Sequence, residues 1–137
     1  MDKNIKIMIT SSDIKFFKNN DDIIEVSVLY KKSFLKYLIS SWALILPANK
    51  GPGTKIKIIE ALCYNKVVFA SKNALNGIEK KLTKDISYSN KQELFKKIKF
   101  FKNNQAKILK KFNLIGKSFR KKFDMKIIAK DFYEIIK

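Results

Sequence analysis

A chain of 137 residues, 46% apolar and 31% charged, supports one hydrophobic core and excludes a disordered composition. One cysteine excludes an internal disulfide framework and fits a reducing compartment, and the absence of histidine removes the commonest general base and metal ligand, so no Ser-His or Cys-His nucleophile can be built and no metal site is expected. The net charge of +18 predicts attraction to anions, yet only one of the 30 basic residues, Arg120, is an arginine. A lysine excess at tolerant positions reads as composition, and nucleic acid, which is usually read by the planar arginine fork, is not an expected partner.

In chain order, Met1 to Lys6 shows no signal-peptide pattern. Ile5 to Ile9 alternates apolar and polar residues and predicts a strand, and Asp13 to Asn20 a short helix. Ile23 to Leu29, rich in β-branched residues, predicts a second strand. Phe34, Leu35, Leu38 and Ile39 recur at helical spacing and predict a helix over Lys31 to Ser41. Trp42 to Pro47 is a continuous apolar run stopped by proline, as in a strand buried on both faces, and the apolar stretch is too short to span a membrane. After the loop Ala48 to Gly53 a helix is predicted from Thr54 to Tyr64, with Ile56, Ile59, Leu62 and Cys63 as its buried stripe and Asn65 as a left-handed cap. Val67 to Ala70 predicts the next buried strand and Ile86 to Tyr88 a short last one. Helices are predicted over Gln92 to Lys102, Gln105 to Lys122 and Met125 to Ile136. Strands alternating with helices give an α/β fold with a small parallel sheet, whose ligands bind beyond the carboxyl ends of the strands.

The loop after Pro47 occupies such a place. Glycines at Gly51 and Gly53 let a phosphate approach the backbone, and the first-turn amides of the following helix carry partial positive charge. Lys55 and Lys57 stand where the helix dipole alone would favour acids, a choice that suits a bound anion. Glu60 is the only acid in the helix and shares a face with Thr54, Lys57 and Tyr64. Its carboxylate can accept two hydrogen bonds from a vicinal diol, or form an ordinary surface pair with Lys57.

The run PANKGPGTKIKIIEALCYNKVVFASKNALNGI resembles the donor-binding segment of group 1 (family 4) glycosyltransferases of the GT-B fold. Pro47, Gly53-Thr54-Lys55, Lys57, Glu60-Ala61-Leu62, Val67-Val68 and Ala74-Leu75-Asn76-Gly77-Ile78 follow that family's order and spacing. The resemblance implies a Rossmann-like sheet with the donor loop over residues 1–90 and closing helices over 91–137, a single partial GT-B C-terminal domain with a helical C-terminal tail. It implies a hexosyltransferase that moves sugar from a nucleoside-diphosphate sugar to an acceptor hydroxyl with no other cofactor. Glu60 would bind the ribose, and Gly51, Gly53, Thr54, Lys55 and Lys57 would lie beside the pyrophosphate or sugar. No catalytic residue is assigned.

Two departures weigh on that expectation. Pro52 stands where many members carry a second glutamate. The chain also resembles the family only from the second strand of the donor domain onward, so the acceptor side would come from a second chain, or the chain would be an inactive gene remnant. A rival expectation is a basic, non-catalytic module on nucleic acid or an acidic membrane. Its motive is Phe95, Phe100, Phe101, Phe112, Phe119 and Phe123 set among lysines, although core packing is the preferred reading of these rings. The expected location is cytoplasmic, peripheral at the inner face of the membrane.

Overall fold

The computed structural model describes residues 7–10, 23–26, 31–47 and 55–124. The helices expected over Asp13 to Asn20 and Met125 to Ile136, and the loop Ala48 to Gly53, lie outside the described residues. The chain divides into two compact units, Met1–Tyr37 and Leu38–Lys137. In the first, β1 (Ile7–Thr10) pairs in parallel with β2 (Ile23–Val26), with Ile7 opposite Ile23 and Thr10 opposite Val26. Helix α1 (Lys31–Ser40) follows in the chain and its last turn belongs to the second unit, where the backbone amide and the hydroxyl of Ser41 both donate to the carbonyl of Leu38.

The second unit is built on three parallel strands in the order β3 (Ala43–Leu46), β4 (Val67–Ser71), β5 (Ser87–Tyr88). Parallel neighbours need crossover connections. Helix α2 (Ile56–Cys63) lies between β3 and β4 in the chain. A 3-10 turn (Lys72–Leu75) and helix α3 (Lys80–Ile86) lie between β4 and β5. Helices α4 (Lys91–Asn103) and α5 (Gln105–Lys122) are the last described elements of the unit. This is a Rossmann-like α/β arrangement, a small parallel sheet flanked by helices.

Val67 to Ala70 of β4 are fully buried, as expected for a central strand covered on both faces. The same expectation for β3 is corrected. Ala43 to Leu46 are only half-buried, because β3 is an outer strand of this sheet. Helix α3 was not expected from the sequence. Its seven residues carry just two buried apolar side chains, Leu82 and Ile86, one helical turn apart, and Glu79 at its N-cap makes no side-chain cap.

Aromatic rings tie the core together. Phe69 lies 6.3 Å from Trp42 and 5.1 Å from Phe101, and Phe101 lies 6.2 Å from Phe112, so contacts in the range preferred by aromatic pairs link the residue before β3 with β4, α4 and α5. The expectation that the C-terminal phenylalanines are core holds for Phe101, Phe112 and Phe119. It fails for Phe95, Phe100 and Phe123, which remain exposed.

Part of the positive charge is structural. The Lys66 ammonium donates to the carbonyls of Ile39 and Ser41 at the end of α1, the latter at 3.0 Å. Lys97 donates to the carbonyls of Lys84 and Asp85 at the end of α3, at 3.0 and 3.2 Å. Each puts a cation where a helix leaves unpaired carbonyls and partial negative charge.

Candidate functional site

Helix α2 buries Ile58, Ala61 and Leu62. The expected stripe of Ile56, Ile59, Leu62 and Cys63 is therefore corrected. Ile56 is 70% exposed, and Ile59 and Cys63 are half-buried. The buried arc is rotated by about 100°, one residue step of the helix. The reason is tertiary: α2 packs against α5 as well as against β4 and β3. Isoleucine at 56, 58 and 59 lets the sequence fit either rotation.

The polar arc lies where spacing put it. Lys57 and Tyr64 are exposed and Glu60 is half-buried, all outside the Ile58–Ala61–Leu62 arc. Lys55 is the N-cap residue, with extended backbone and no side-chain cap, and its carbonyl accepts from the amide of Ile58 at 2.9 Å. The first turn of α2 contains no acid. Gly51, Gly53 and Thr54 lie outside the described residues. Because β3 and β4 run in parallel, the chain leaves β3 at the carboxyl edge of the sheet and re-enters as α2, and that edge is where such sheets bind ligands.

The other end of α2 is closed by protein groups. Asn65 adopts φ 60°, the expected left-handed cap. Its amide donates to Leu62 at 2.9 Å and the Lys66 amide to Ala61 at 2.8 Å, the two bonds of a Schellman motif. Arg120 of α5 donates to the Cys63 carbonyl and, at 2.8 Å, to Oδ1 of Asn65. This close approach requires Gly116, since a β-carbon there would meet Asn65 Oδ1 at 2.1 Å and the Leu62 carbonyl at 2.6 Å. Sequence reasoning missed both α5 residues. The signals were present: a lone glycine inside a helical pattern and the only arginine of the chain.

Electrostatics separate the remaining groups. Burial pushes the Cys63 thiol above its ordinary pKa; nearby Arg120 opposes the shift and the Glu60 carboxylate adds to it. Cys63 is thus a protonated thiol and not an activated nucleophile. At the start of α4, Asn90 accepts from the Glu93 amide at 2.9 Å, and Glu93 accepts from the Ser89 amide at 2.8 Å. That bond, with nearby Lys97 and Lys72, holds the Glu93 carboxyl below its ordinary pKa. The resulting stabilisation is present above the ordinary carboxylate pKa and is lost as pH falls through the lower, folded-state value.

Among the described residues no group of three His, Cys, Asp or Glu side chains could hold a metal ion, and no helix is long and apolar enough to cross a membrane. No protein-family model, curated protein or solved structure matches the chain.

Proposed function

We propose that the chain is the nucleotide-sugar-binding part of a glycosyltransferase, with the acceptor side supplied by a further domain or a second chain. The observation that carries the reading is the placement of α2. It starts beyond the carboxyl end of β3, with no acid in its first turn, and keeps Lys57 and Glu60 off its packed face. The likeness of the segment from Pro47 to Ile78 to glycosyltransferase donor loops supplies the chemistry.

The donor's diphosphate lies against the first-turn amides of α2 and the Gly51 to Thr54 backbone, with Lys55 and Lys57 beside it. Glu60 accepts from the two ribose hydroxyls. As the glycosidic bond to the diphosphate breaks, negative charge grows on the leaving oxygen, and preorganised amides and ammonium groups stabilise it. No protein nucleophile is required.

Calorimetry with UDP and GDP tests this. One of the two binds the intact chain, and Glu60→Ala weakens it by about 10- to 100-fold, the worth of hydrogen bonds to a charged acceptor. The matching 2′,3′-dideoxynucleotide binds wild type and variant equally. Binding that is unchanged in Glu60→Ala, or absent with both nucleotides, sinks the reading.

A further inference from the structure

Helix α4 carries two phenylalanines that its packing leaves largely exposed. Phe101 is buried and Leu94 and Ile98 are half-buried, yet Phe95 is 43% and Phe100 58% exposed. At about 100° per residue these two rings stand roughly 140° apart on the outer side of the helix. Lys96 and Lys99 lie between them, and Lys91 and Lys102 lie just beyond Phe95, all exposed. The Lys91 ammonium sits 5.6 Å from the centre of the Phe95 ring. The only acid of α4, Glu93, lies about 20° beyond Phe100, and its carboxylate is bound to the Ser89 amide and lies 3.7 Å from Lys97. The face therefore combines two exposed rings with four exposed cations, the composition of an interfacial helix.

We propose that the outer face of α4 docks on an anionic lipid surface, independently of nucleotide binding. Lys91, Lys96, Lys99 and Lys102 pair with lipid phosphates, and Phe95 and Phe100 enter the headgroup layer beside them. Because lysines stand between the rings, the contact is shallow. Flexible lysine stems let the ammonium groups stay at phosphate level while the rings go deeper. A second copy of the chain does not fit this face, since both surfaces would be strongly positive. Nucleic acid fits less well, because the arc offers no guanidinium fork.

The test is co-sedimentation of the full chain with phosphatidylcholine vesicles, with and without phosphatidylglycerol, at low and high salt. Binding is expected only with phosphatidylglycerol and weakens as salt is raised. Phe95→Ser with Phe100→Ser keeps the net charge and lowers the partition coefficient about tenfold. Leu114→Ser, an exposed apolar residue of α5, leaves it unchanged. Lys96→Glu with Lys99→Glu provides a second variant that spares the ring packing of Phe100 on Phe101, and it lowers binding further. Circular dichroism verifies that each variant keeps its helices. Wild-type affinity in either double variant overturns the proposal, because charge elsewhere would then suffice. So does an equal loss in Leu114→Ser, or binding to a DNA duplex without binding to vesicles.

Discussion

At its carboxyl end α2 is finished by groups of the protein itself: the left-handed Asn65, two Schellman bonds, and Arg120 reaching over from α5. At its amino end the N-cap residue is Lys55, no side chain of that residue caps the helix, and no acid stands in the first turn. Helix α4 shows the ordinary alternative, since Asn90 and Glu93 close its amino end with a side-chain oxygen and a carboxylate. Both ends of a helix carry partial charge; protein groups meet it at the carboxyl end of α2, while the segment before Lys55 lies outside the described residues. Under the donor-binding reading, the difference teaches that changes at the carboxyl end cost the fold and changes at the amino end cost a ligand.

The strongest way to break the comparison is Gly116→Val. The new side chain would collide with Asn65 and with the Leu62 carbonyl, which is backbone and cannot swing aside. Either α5 backs away, exposing Phe112 and Phe119, or the α2 cap opens. The expected cost is about 3 kcal/mol, or a fall in Tm of roughly 10 °C, read by thermal unfolding. An unchanged Tm would mean that the helices do not approach this closely. Arg120→Ala is milder. It removes two hydrogen bonds at an exposed position where water partly replaces them, so about 1 kcal/mol is expected. Nucleotide affinity should not change in Arg120→Ala, because the lost bonds sit at the closed end.

What was legible in the sequence follows the range of the forces involved. Val67 to Ala70 as a buried strand, Asn65 as a left-handed cap and the bounds of α5 rest on local chemistry, and all were readable. The rotation of α2 was not, because three isoleucines in four positions leave the buried face to be chosen by α5. Helix α3 was hidden by its brevity and by having only Leu82 and Ile86 to bury. In the candidate site, spacing alone placed Lys57 and Glu60 off the packed face, since neither can be buried unpaired without a large desolvation cost. The pairing of Gly116 with Asn65 joins residues more than fifty positions apart and leaves no periodic trace.

The smallest effect on stability bears most directly on the amino end of α2. Lys57 stands in the first turn of α2, where the dipole disfavours a cation and favours an acid. Lys57→Glu gains about 0.5 kcal/mol from the dipole and loses about as much to repulsion from Glu60 one turn on, so the stability of the ligand-free chain should hardly change. Under the donor-binding reading the same substitution places a carboxylate beside the diphosphate, and affinity for the nucleotide should fall about tenfold or more. Under that reading, affinity should move while stability hardly does, because the substitution changes the charge beside the diphosphate and leaves the packed face of α2 untouched. If nucleotide affinity holds, Lys57 contributes only to the net charge, and the amino end of α2 is not where the phosphates bind.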